Sequence, residues 1–223
     1  MSYIGSKPAD KVLTASDITD GVVSNAKLAQ DIISADTALA SEPADTDEFL
    51  VSDAGTLKRI DYSLIKGGGI TEVDQWRISA NHSGVAVITS NWERVDTYSY
   101  GGLGTGMSES SGIFTFPQTG IYLVDTFTHM YLNSNSRYNE LAIQLSTDGG
   151  SNYSVIADGY TSISRVDNQT TYASVFTKAI IDVTNASNFK VSFKVTHHTT
   201  ATTVAGNSSV NNNASTFIRL GDT

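Results

Sequence analysis

The chain has 223 residues, a formal charge of −9 and no cysteine. That length holds one full-sized globular domain with an appendage, and the composition excludes disulfides, thiolate metal ligands and cysteine nucleophiles. The 14 basic residues are scattered rather than aligned on one periodic face, which argues against a nucleic-acid partner.

Residues 1–10 have neither the basic flank nor the apolar run of a secretion leader. No stretch approaches the roughly 20 apolar residues of a membrane-spanning helix, so synthesis in a cytoplasm without membrane insertion is expected. Only 17% of residues are charged while Ser, Thr, Asn and Gly abound, a balance suited to a β-rich surface.

Three zones follow one another: residues 1–40, 41–69 and 70–223. In the first, Ser24 or Asn25 suits the N-cap of a helix running from Ala26 to about Ala40 and stopping before Pro43. Leu28, Ile32, Ala35 and Leu39 then form two heptads of an a/d seam, which stands only if neighbouring domains already hold several copies together. The same spacing also suits an amphipathic helix lying on its own head domain, or extended coil. In the second zone, short apolar runs flank Asp53-Ala54-Gly55 and predict a small hairpin. Gly67-Gly68-Gly69 then marks a boundary.

The third zone reads as strands and polar turns. Phe189, Val191, Phe193 and Val195 alternate with Lys190, Ser192, Lys194 and Thr196, the period of a strand with one wet face. Leu141, Ile143 and Leu145 repeat it. Residues 121–124 and 172–183 differ, being apolar on both sides: Val175, Ala179, Ile181 and Val183 on one, Tyr172, Phe176 and Ile180 on the other. A sandwich covers one face of each strand, so these predict a second chain packed outside. Loops of the same chain are the alternative cover. Closely spaced turn signals at Gly101–Gly106, Pro117–Gly120, Asp148–Gly150 and Asn185–Asn188 point to a sandwich or barrel.

Gly112-Ile113-Phe114-Thr115-Phe116-Pro117-Gln118-Thr119-Gly120-Ile121-Tyr122-Leu123-Val124 resembles the central signature of the complement-globular-head and tumour-necrosis-factor-like jelly roll. Pro117 sets φ at the turn, Gly120 permits an angle others resist, and Phe116 and Tyr122 face across the hairpin. Ser215–Leu220 looks like that fold's closing strand. The resemblance spans residues 76–223 and implies a ten-stranded, two-sheet jelly roll assembling as a trimer. Phe116, Tyr122, Phe176, Phe217 and Leu220 are then expected in the head's core or its trimer contact.

Residues 20–29, Asp-Gly-Val-Val-Ser-Asn-Ala-Lys-Leu-Ala, look like the shaft repeat of bacteriophage fibres, and Phe49–Ile60 resembles a segment that follows it in fibres of marine phages. Met1-Ser2-Tyr3-Ile4-Gly5 looks like the start of such proteins, where the first residues dock on the particle. The resemblance thus implies virion attachment through Tyr3, Ile4, Val12 and Leu13, and a trimeric shaft through the Leu28–Leu39 seam. A single shaft repeat favours a short projection.

Chemistry is sparse. His197 and His198 are adjacent on a strand and point to opposite faces, so they cannot chelate one ion within a chain; no metal or other cofactor is expected. No nucleophile elbow and no phosphate-cradling loop is present, and Gly101–Gly106 reads as a flexible strand connection. An enzyme is not expected. The fold class expected is mainly β: a two-sheet jelly-roll sandwich forming a trimer, behind an extended or short-helical N-terminal attachment and shaft segment. The expected role is a short virion fibre, bound to tail or capsid proteins at its N-terminus and presenting the head to a host receptor, a glycan. Arg137, Tyr138, Tyr153, Tyr160, Asn211 and Asn212 are the candidate contacts, with ordinary loop solvation as their plain alternative. A capsid decoration protein without a receptor is the alternative role.

Overall fold

A computed structural model describes residues 14–19, 37–66 and 69–223. The chain divides into two compact units, residues 1–66 and 67–223. In the first, Ala15–Asp17 form one 3₁₀ turn, closed by the Thr14 hydroxyl donating to Asp17 Oδ2 at 2.7 Å. Strands β1 (Glu48–Asp53) and β2 (Thr56–Asp61) pair antiparallel from Glu48↔Asp61 to Asp53↔Thr56. Their two-residue turn, Ala54-Gly55, has φ of 48° and 84°, the doubly left-handed geometry that matches strand twist. Helix α1 (Tyr62–Ile65) follows and sets Tyr62 against Phe49, ring centroids 6.0 Å apart.

Tyr3, Ile4, Val12, Leu13, Leu28, Ile32 and Ala35 lie outside the described residues. Leu39 lies within them, exposed on irregular backbone over residues 37–40, so the helix expected as far as residue 40 is not formed there. A short helix gains little in water unless a neighbour covers its apolar seam, and Leu39 is largely exposed.

The second unit is a mainly β, two-layer antiparallel sandwich. Its strands are β3 (Val73–Ile78), β4 (His82–Ser83), β5 (Ala86–Val87), β6 (Trp92–Arg94), β7 (Ser108–Ser110), β8 (Ile113–Thr115), β9 (Gly120–Leu132), β10 (Ser136–Ser146), β11 (Ser154–Ile163), β12 (Thr171–Val183), β13 (Lys190–His197), β14 (Thr203–Val204) and β15 (Asn213–Gly221). One sheet has six strands in the order β11-β10-β13-β8-β7, with β5 also on β13. The other has seven, β4-β14-β9-β15-β3-β6, with β12 on the other side of β9. Ten strands were expected; the excess is in ladder fragments of two or three residues such as β4, β5 and β14.

Alternation dictates which side chains fill the space between the sheets. Phe114 is at its centre, with the rings of Trp76, Trp92, Phe193 and Phe217 at 5.6, 5.0, 5.5 and 5.3 Å. Phe116 meets Tyr122 at 4.7 Å across the Pro117–Gly120 turn, and both are buried. Gly120 has φ +146°, and a Cβ there would come within 2.6 Å of the Gly221 carbonyl. The glycine run before β7 is not the loose connection expected. The Glu72 and Asp74 carboxylates accept from the Gly106 and Met107 amides at 2.8 and 2.7 Å and pin its end.

Candidate functional site

The outer face of the seven-stranded sheet is built by β12, β9 and β15. Because β12 pairs with β9 along its whole length, the outward residues stand in rows: Tyr172 opposite Tyr131, Phe176 opposite Phe127, Lys178 opposite Asp125 and Ile180 opposite Leu123. The β9–β15 register extends those rows to Ala214, Thr216 and Ile218. Tyr172, Phe176 and Ile180 are 67%, 65% and 69% exposed, while Val175, Ile181 and Val183 on the inner side of the same strand are buried. The face is thus aromatic, then polar, then aliphatic.

The rings are organised rather than scattered. Tyr131 and Tyr172 lie 5.4 Å apart, and Phe127 and Phe176 stack at 5.7 Å. Cross-strand pairs of this kind lock both side chains before anything binds, which lowers the entropy cost of a later contact. Two open hollows flank the polar row, about 260 Å³ beside Phe176 and about 350 Å³ beside Ile180. Asp125 and Lys178 line both, so the face carries a negative and a positive group side by side.

Of the five positions expected in the core or a contact, Phe116, Tyr122 and Phe217 point inward and are buried, while Phe176 and Leu220 are exposed. The six candidate receptor contacts do not converge. Tyr138 is at one end of β10, its carbonyl bonded to the His198 amide and its ring 5.8 Å from that of His198. Arg137 is exposed beside it. Tyr153 is beyond the other end, next to the Asp148–Gly150 turn, and Tyr160 projects from the middle of β11 opposite Glu140. Asn211 and Asn212 belong to the loop before β15, in the other sheet.

That loop borders a third feature. Gln75, Val95, Thr97, Tyr98, Tyr100 and Asn211 line a groove of about 410 Å³ at the β3–β6 end of the same sheet. Of these, only Asn211 is among the contacts expected from the sequence. Tyr98-Ser99-Tyr100, two aromatics immediately before a glycine run, was the available signal.

Two histidines have opposite environments, in keeping with their alternation. His197 is 4% exposed and both its ring nitrogens lack partners, while His198 is at the surface. Burial, and secondarily the nearby His82, hold the His197 imidazole down to about 4. Asp148 is the reverse case. Asn152, through its side chain and amide, with Ser146 and Ser151, stabilises its carboxylate and lowers it to about 2, and the same bonds close the turn.

No family model and no curated protein matches the chain. Among solved structures it is similar to murine APRIL, with a TM-score of 0.48 and 14% identity over 67% of this chain and 98% of that one. It is similar also to Eiger TNF from S. frugiperda, with a TM-score of 0.49 and 10% identity over 70% of this chain and 96% of that one. At such identities nothing of function passes through the likeness.

Proposed function

We propose that this chain is a short, self-associating fibre protein of a virus particle, whose three copies meet through the outer face of β12 and β9. The observation that carries this reading is the stacked, solvent-facing pair Phe176 and Phe127, framed by Tyr172, Tyr131, Ile180 and Leu123. Burying each large apolar side chain there contributes about 1.5–3 kcal/mol. The occupant is a further copy of the chain: the face carries Lys178 and Asp125 beside its apolar rows, so in a head-to-tail ring of three each copy offers its neighbour both an apolar surface and charges of either sign.

The likeness of residues 20–29 and 49–60 to phage fibre segments supports a particle-bound role, in which the N-terminal residues engage tail or capsid proteins. The sandwich is then presented to a host surface receptor, a glycan, and three copies of a weak site bind by avidity. Equilibrium sedimentation of the full chain tests the reading. Three protomer masses at micromolar concentration are expected, and a folded monomer there defeats it.

A further inference from the structure

We infer that the groove between residues 95–100 and 209–211 is a binding site for a neutral saccharide. This rests on the reading of the domain as a receptor-presenting head, and it supplies the site which the scattered sequence candidates lacked.

The groove is built around one buried cation. Arg77, 1% exposed, donates to Thr97 Oγ1 at 2.9 Å and Asp96 Oδ1 at 3.0 Å on one wall. On the other it donates to Asn211 Oδ1 at 3.4 Å and to the Ser208 carbonyl. Its Nε is occupied by Glu93 at 2.7 Å. Thr97 closes the tie by donating to the Ser209 carbonyl at 3.3 Å, and Asn207 Oδ1 accepts from the Ser209 and Val210 amides. Both walls are therefore fixed before a ligand arrives.

The floor is Gln75. Its Nε2 donates to Thr216 at 2.8 Å and its Oε1 accepts from Asn211 Nδ2 at 2.9 Å. An amide nitrogen carries two hydrogens, so each of these amides keeps one N–H unspent. Over this floor stands Tyr98, 82% exposed, and it is held out by strained backbone: φ is 55° at Tyr98 and 62° at Ser99. Two successive non-glycine residues in the left-handed region cost about 1–3 kcal/mol each, and such outliers collect at ligand sites. Tyr100 is fixed beside it, its hydroxyl accepting from the Gln75 amide at 2.8 Å and donating to Asp74 at 3.2 Å.

An open aromatic face, oriented amide donors and the Ser209 hydroxyl match the C–H face and hydroxyl rim of a pyranose. The volume of about 410 Å³ lies within the roughly 300–1,000 Å³ of small-ligand sites. Charge decides the class. No lining residue is charged, the nearby guanidinium is fully used, and the chain carries −9, so an acidic sugar meets no counter-ion there.

The test is saturation-transfer NMR of the full chain with maltose, lactose, cellobiose and chitobiose, and sialyllactose as the charged comparison. Transfer to at least one neutral sugar is expected. Tyr98→Ala should weaken it tenfold or more, and Tyr98→Phe, which keeps the ring, should stay within about threefold. Tyr98 is exposed, so both variants fold. No transfer to any neutral sugar, or transfer that Tyr98→Ala leaves unchanged, overturns the site. Sedimentation of the same samples keeps the two readings apart. A monomer that binds sugar through Tyr98 upholds the groove while defeating the trimer, and a Tyr98→Ala chain that loses its trimer shows the groove to be a contact between copies and overturns it.

Discussion

Phe176 of β12 stacks on Phe127 of β9, ring planes 25° apart and centroids 5.7 Å apart, with the outer side of Phe176 open to solvent. A charge on that outer side is harmless to a lone protomer and costly between copies. Phe176→Glu is expected to convert the proposed trimer to monomers, raising the dissociation constant at least tenfold, which is about 1.4 kcal/mol. The protomer's own stability should move by no more than about 1 kcal/mol, since the side chain is mostly outside its core. Sedimentation read beside urea unfolding checks both.

Acid should loosen the end of the sandwich that holds His197. Asn139 stands opposite it in the β10–β13 register, and Asn139 Nδ2 and the Thr202 hydroxyl are unpartnered and buried as well. The unfolded imidazole takes a proton near 6.5 and the folded one not until about 4, so across that window the unfolded chain binds more protons. The contribution is therefore complete above about pH 6.5 and is lost as pH falls towards 4, about 3 kcal/mol in all. His82, also lowered by burial, adds in the same direction. The urea midpoint should fall between pH 7 and pH 5, and His197→Gln should remove most of that slope; an unchanged slope counts against the assignment.

Arg77 ties together two segments far apart in sequence, the end of β6 with the residues after it (93–97) and the loop 208–211. Arg77→Met keeps the apolar stem but strands the acceptors facing it. Glu93 and Asp96 retain access to water, so the cost should fall near the lower end for a broken buried pair, about 3 kcal/mol. Hydrogen exchange at the Ser209 and Val210 amides should quicken by more than at β13.

Gly112 lies in the β7–β8 hairpin at φ +79°, and a Cβ there would stand 2.1 Å from the Ile88 carbonyl oxygen. Gly112→Ala meets both a forbidden angle and rigid backbone. It is expected to cost about 2–4 kcal/mol, read as a lower thermal midpoint. Gly149, also at positive φ but with open space around its Cβ, should lose only about 1 kcal/mol on the same change.

Much of the sandwich is legible locally. Strand period alone places Val175, Ile181 and Val183 opposite Tyr172, Phe176 and Ile180, and Pro117 with Gly120 announces the turn that brings Phe116 to Tyr122. Period also sets His197 and His198 on opposite faces, yet cannot say which face is buried. The candidate contacts Arg137, Tyr138, Tyr153 and Tyr160 share only a polar-aromatic character, and β10 and its neighbouring turns spread them along the sheet.

From residues alone came the two-faced strands, the hairpin at Ala54-Gly55 and the absence of thiol chemistry, because each depends on neighbours within a few positions. Which strands pair, why Arg77 is buried in mid-strand and how Gln75 comes to lie beneath Asn211 depend on contacts across more than a hundred residues. Side-chain alternation has a period of two and carries no label for its partner, so only the closed sandwich could select β15 to lie between β9 and β3 and thereby form both the aromatic face and the groove.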